Sequence, residues 1–165
     1  MYDSLGNSRF ISNHTFVNRM LAISLPSSID YGLVNASAVS NQQTANVTNV
    51  GNTRVNLSIQ GYAYNLTDGW AMNCTLGTTR NISIYYEKYN LTDSNTSFLN
   101  ITQFESKYIN LTSSSAIKAF NLNYQQNEGI NEAINSTYWR IYVPKGVAGS
   151  CSGNIIFGAT QSSGN

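Results

Sequence analysis

Apolar and polar residues alternate with period two in short blocks along this chain. Leu21, Ile23 and Leu25 alternate with Met20, Ala22 and Ser24 until Pro26 stops the run. Val55, Leu57 and Ile59 alternate with Arg54, Asn56, Ser58 and Gln60, and Ile82, Ile84 and Tyr86 with Asn81, Ser83 and Tyr85. Phe120, Leu122 and Tyr124 alternate with Asn121 and Asn123, and Trp139, Ile141 and Val143 with Tyr138, Arg140 and Tyr142 before Pro144. Ile155, Phe157 and Ala159 form the last block, in phase with Cys151. Residues two apart share one face of a strand, and Gly, Pro, Asn or Ser bounds each block. Apolar residues nowhere recur at helical spacing through a dozen residues; the nearest candidate, SSSAIKAFNL (113–122), is short and Ser-rich. The pattern predicts an all-β fold, an antiparallel two-sheet sandwich of about eight or nine strands.

Turns are legible between the blocks. Asn49-Val50-Gly51-Asn52 supplies residues that tolerate positive φ between two strand patterns, and Gly146 and Gly149 frame the turn after Pro144. Residues 93–97 and 125–136 carry no pattern and read as exposed loops. Neither a linker nor a repeat divides the chain, so residues 16–165 read as a single domain preceded by an extension, 1–15.

That extension has Phe10 and Ile11 as clear apolar anchors before Phe16 and Val17. It reads either as a frayed terminus or edge strand, or as a mobile strand that leaves its own domain and completes a neighbour's sheet. The opening MYDSLGNSRF lacks the charged and apolar regions of a signal peptide.

Composition narrows the compartment. Only 10% of the 165 residues are charged, against about 25% in a typical soluble domain. Nine Lys and Arg and eight Asp and Glu are scattered, so no basic stripe is available for phosphates, and nucleic acid is not an expected partner. No apolar run reaches membrane-spanning length. Eleven Tyr, six Phe and two Trp set the chain apart from disordered segments. Cys74 and Cys151, with the single His14, are too few for a standard zinc site. A Cys74–Cys151 disulfide suits the otherwise secreted composition, two buried free thiols being the alternative.

The densest motif is Asn-x-Ser/Thr. It occurs twelve times, at Asn13, Asn35, Asn46, Asn56, Asn65, Asn73, Asn81, Asn90, Asn95, Asn100, Asn110 and Asn135. With 23 Asn in the chain and Ser plus Thr at about a fifth of it, independent placement gives about five. Strand alternation generates the motif wherever an outer face is rich in Asn and Thr, because i and i+2 point the same way. An oligosaccharide acceptor needs the same outward Asn, and sugars would supply the solubility that charge does not. Several covalent N-glycans are therefore expected.

Catalytic and metal chemistry have little to build on. His14 lies in the weakly patterned N-terminus, far from what a triad requires. The carboxylates Asp3, Asp30, Asp68, Asp93, Glu87, Glu105, Glu128 and Glu132 are dispersed, and a glycosidase pair such as Glu128 with Glu132 would need a shaped cleft. The run from Asp93 to Ser97 starts like a calcium loop, yet Phe98 and Phe104 occupy the positions where Gly and Glu belong. Neither an enzymatic activity nor a cofactor or metal is expected. Trp139 is in phase with the core, whereas Trp70 follows Asp68-Gly69 in an expected loop and is the better candidate for stacking on a sugar.

Three segments carry a family resemblance. PSSIDYGLV (26–34) resembles the opening of many immunoglobulin-like surface domains. AVSNQQTANVTNVGNTRVNLSI is similar to their strand–turn–strand unit, and YWRIYVPKGVAGSCSGNIIFGAT to their closing hairpin. Together they resemble secreted archaeal immunoglobulin-like surface proteins and filament subunits, in outline from Leu21 to Thr160. The resemblance implies an extracellular structural protein: a subunit of a glycosylated surface filament, a homopolymer built by donor-strand exchange, or a module of the cell envelope. Phe10, Ile11, Phe16 and Val17 would then be the donor-strand anchors. The alternative is an adhesin or carbohydrate-binding module working through Trp70 and the 125–136 loop.

Overall fold

Where the apolar members of an alternating block can share an inward face, the chain forms a strand. The computed structural model describes residues 11–93 and 98–162; Phe10, Asn95 and most of the calcium-like run lie outside the described residues. In chain order the strands are β1 (Ile23–Ser24), β2 (Ala38–Val39), β3 (Gln43–Asn49), β4 (Val55–Tyr62), β5 (Trp70–Gly77) and β6 (Asn81–Ser83). There follow β7 (Glu87–Asn90), β8 (Ile109–Asn110), β9 (Ala116–Leu122), β10 (Ile134–Val143), β11 (Val147–Ser152) and β12 (Asn154–Gln161). Every pairing among them is antiparallel.

The largest sheet runs β1-β3-β10-β7-β8, with β2 on the far end of β10; β12-β4-β9 and β11-β5-β6 are three-stranded. Val47, Trp139, Ile141 and Tyr89 from the first sheet, Val55, Leu57 and Ile59 from the second, and Cys74 and Ile82 from the third join one buried cluster. The sheets thus face each other across a common core. The chain is an all-β antiparallel sandwich.

Several expectations change in detail. The block from Leu21 to Leu25 yields a ladder only at Ile23–Ser24, although Ala22 and Met20 still accept backbone bonds from Val50 and Asn52. Gly51 makes this approach feasible, because a Cβ there would lie 2.2 Å from the Met20 carbonyl oxygen. The block from Ile82 to Tyr86 is interrupted: β6 ends at Ser83, and a 3-10 turn, Ile84–Tyr86, lets Ile84 bond Gly69 and enter the core. Gly149 lies not in the turn but in β11, with φ +81° at the irregularity between Ala148 and Cys151, while Gly146 (φ +92°) does turn the chain.

A helix forms where none was expected. In α1 (Ile101–Lys107), Asn100 caps the Gln103 amide while the Gln103 side chain takes the Asn100 amide. Phe104 is the one buried residue in its seven, so the apolar stripe is too short to register as a period. With Leu99 and Tyr108 it covers the outer side of the first sheet against Val39 and Tyr142. β10 is consequently covered on both faces: Trp139 and Ile141 point into the core, and the fully buried Arg140 points under the helix layer.

Candidate functional site

One side of the sandwich is open. β12 pairs with β4 in full register, placing Ile155, Phe157 and Ala159 beside Gly61, Ile59 and Leu57. Leu57 and Ile59 are fully buried, yet their neighbours on β12 are only half-buried. Equal inward positions in one sheet differ this way when one strand has lost cover on its far side. Among the described residues, β12 has no strand partner beyond β4. Across from it, β3 is paired by β1 only at Asn49 and Thr48. The irregular segment 26–36 bridges the gap, dipping Ile29, Tyr31 and Val34 into the core.

Two cavities flank that plug. One, about 280 Å³, lies between Ala45 of β3 and Gly153, Asn154, Ile155 and Phe157, with Leu25 and Ile29 at its rim. The other, about 360 Å³, lies between Tyr31, Val34, Ile82, Ile141 and Cys151, and Met72 touches both.

Glu87 lines the smaller cavity and is 2% exposed. β7 turns Glu87 and Tyr89 inward and Lys88 to the opposite face, as alternation dictates. Its Oε1 accepts the Tyr31 hydroxyl at 2.7 Å. Desolvation raises the carboxyl to about 7, and the Tyr31 bond only partly opposes it. Burial, then the Glu87 charge, pushes Tyr31 well above its ordinary range. Because Glu87 is raised above its unfolded value, its contribution is fully present below about pH 4.5 and is lost as pH rises through 7. The difference amounts to about 3 kcal/mol by pH 8. E87Q keeps the bond to Tyr31 and removes the charge. Its melting temperature is expected to match the parent at pH 4.5 and exceed it at pH 8; equal melting at both would show that Glu87 carries no buried charge.

The N-terminal segment is the second element of the site. From residue 11 to 22 no regular structure forms, and Ile11, Phe16 and Val17 are 87%, 92% and 79% exposed. The Met20 amide donates to Asn52 Oδ1 and the Asn52 amide side chain to Asn18 O, so residues 18–24 are held along the β3–β4 turn. Residues 11–17 project past it.

The structure sorts the acceptor asparagines. Asn13, Asn35, Asn46, Asn65, Asn100, Asn110 and Asn135 are exposed, whereas Asn56, Asn73, Asn81 and Asn90 are half-buried. Asn56 Oδ1 holds the Phe120 and Asn121 amides at the β4–β9 irregularity, and Asn81 Oδ1 is buried without a partner. Several exposed ones also have structural work. Asn100 caps α1, Asn110 accepts the Lys88 ammonium, and Asn46 accepts the Ser136 hydroxyl. The hydroxyl of the Asn135 motif, Thr137, is buried on Ala45 O, so modification there would have to precede folding. The middle residues Val47, Leu57, Cys74, Ile82 and Leu111 are all buried, which accounts for much of the motif's frequency by strand alternation.

Cys74 and Cys151 face each other directly in the β5–β11 register and form a disulfide with a Cα–Cα distance of 3.9 Å. Trp70 is not in a loop but opens β5, paired with Ser83, and is 39% exposed. Asp68 accepts the backbone N–H groups of Ala63, Tyr64, Asn65 and Trp70 and so builds the preceding turn. Against a desolvation cost, those amides hold its carboxyl below the ordinary range. The expected 125–136 loop extends to Ala133, since β10 already begins at Ile134. Within it Glu132 accepts the Gln126 and Asn127 amides, so this carboxylate organises the loop. His14 is exposed and stacks edge-on with Phe16. Among the described residues no three His, Cys, Asp or Glu side chains gather as a metal site, and no helix is long and apolar enough to cross a membrane.

No protein-family model matches this chain, and no curated protein matches it.

Proposed function

We propose that the protein is an extracellular structural subunit that polymerises by donating its N-terminal strand to the open side of a neighbour. The observation that carries this reading is a pairing of deficits in one molecule. Residues 11–17 expose three large apolar side chains, while β12 leaves its inward face half-covered beside an unpaired edge. A donated strand would gain main-chain hydrogen bonds along that edge and bury its alternate side chains. The disulfide, the scarcity of charge and the seven motif asparagines exposed among the described residues suit a glycosylated surface filament.

Removal of residues 1–17 is the direct test. The truncated chain is expected to remain a folded monomer while the full chain forms filaments, read by native mass spectrometry and negative-stain electron microscopy on the same samples. Polymerisation of the truncated chain, or a full chain that stays monomeric at high concentration, overturns the reading. The same mass spectra report attached glycan when the protein is taken from its native source.

A further inference from the structure

We infer that the cavity between β3 and β12 receives residues 11–17 of a second copy, with the His14 imidazole hydrogen-bonded to the Glu87 carboxyl on its floor. This rests on the strand-exchange reading and adds to it the register, the acceptor group and a dependence on pH.

Glu87 is an unusual residue to bury in such a place. The remaining lining of the cavity is apolar or neutral, with Ala45, Met72, Ile155 and Phe157 nearest the sheets. Tyr31 is the titratable neighbour from the 26–36 segment, and its hydroxyl donates to Oε1. Lys88 and Arg140, the nearest cations along β7 and β10, belong to the opposite face, on Phe104 and Tyr108. A buried carboxyl without cationic company favours a ligand that brings its own donor.

The N-terminal segment carries such a donor on a suitable face. In an extended strand Ser12, His14 and Phe16 lie on one side, and Ile11, Asn13, Thr15 and Val17 on the other. Each side offers apolar anchors, so hydrophobicity alone does not choose the register. Two other groups do. With His14 inward, Phe16 enters the apolar cavity beside it and Asn13, an acceptor motif, points to solvent where a sugar fits. The opposite register buries Asn13 and leaves Glu87 facing no basic group.

A second copy is the occupant because the chain's own segment is directed elsewhere. Met20 and Ala22 are bonded along the β3–β4 turn and carry residues 11–17 away from the rim at Leu25.

The pair also sets a pH window. Desolvation raises the Glu87 carboxyl to about 7. Below that pH the carboxyl is neutral and offers the imidazole no charge. Well above it the carboxylate is a buried anion, uncompensated unless its partner brings a positive charge. Assembly is therefore strongest near neutrality, where the pair holds one proton between two ring and carboxyl atoms.

The test is the critical concentration for polymerisation of the full chain at pH 5, 6.5 and 8.5, compared for the parent, H14N, E87Q and the double variant. Both replacements keep polar size without titrating. Each single variant is expected to raise the critical concentration at pH 6.5 by at least about tenfold and to flatten the pH profile, and the double variant to be no worse than either. Additive effects, or a parent-like profile in H14N, overturn the pairing while leaving strand exchange standing if the 1–17 truncation is still monomeric. A truncation that polymerises removes both readings. A monomeric parent whose melting temperature depends on His14 shows docking into its own cavity instead and also overturns the proposal.

Discussion

Replacing both Cys74 and Cys151 with alanine is expected to cost about 4.5 kcal/mol of stability, the value for a loop of this length in the chain-entropy model. The bridge spans 77 residues of sequence, from the middle of β5 to β11, so it removes much freedom from the unfolded chain. For 165 residues this corresponds to a fall in melting temperature of about 13 °C. The fold should survive. Val147 and Ala148 still pair with Gly77 and Leu76, Ser152 with Asn73, and Cys74 contributes only one of many buried side chains to the core. Urea unfolding of the double alanine variant, followed by circular dichroism, checks both parts. A loss below about 1 kcal/mol would mean that the unfolded chain is already compact around this pair.

Arg140→Ala is expected to cost about 4 kcal/mol by a different route. The guanidinium is 0% exposed, donates from Nη1 to Ser40 O at 2.7 Å and from Nε to the Tyr108 hydroxyl at 3.0 Å, and lies over the Tyr108 ring. Tyr108 in turn donates to Gln42, which donates to Asp93. Truncation leaves buried acceptors without donors and a void under α1. The loss should therefore be local before it is global: amides of Phe104 and Tyr108 exchange faster, while Trp139 on the other face of β10 keeps its protection. Arg140→Met fills the void but not the bonds, and is expected to recover less than half of the stability. Parent-like unfolding of Arg140→Ala would show that the α1 layer is held by Phe104 and Leu99 alone.

The residues that were hard to foresee share a physical cause. Arg140 alternates with Trp139 and Ile141 as an outward residue should, and outward ordinarily means solvent. Only the docking of the seven-residue helix α1, which ends at Lys107 and delivers Tyr108 from 32 positions upstream of Arg140, makes that face interior. Glu87 has the same character. Nothing in EKYN marks its Glu as buried; the Tyr31 hydroxyl that donates to it comes from an irregular segment 56 residues upstream. Trp70 looked like a loop residue because Asp68-Gly69 precedes it. Asp68 does make a turn, but a turn tight enough for β5 to begin at once.

The exposed apolar residues near the N-terminus show a division within a single stretch. Ile11, Phe16 and Val17 could be named as apolar residues outside any alternating block, and they are indeed uncovered. The half-covered face of β12 depends instead on the pairing of β4 with β12, where burial is unequal at paired positions.

Period-two alternation and Asn-, Gly- and Pro-rich breaks were enough to establish an all-β antiparallel chain and the places of β1, β4, β6, β9, β10 and β12, because strand faces and turns are properties of neighbouring residues. Which edges remain unpaired, which faces are covered twice and which carboxyl is forced into the core depend on contacts between residues dozens of positions apart. Local periodicity holds no information about those contacts. The open edge of β12 and the buried Glu87 therefore belong to the tertiary structure alone.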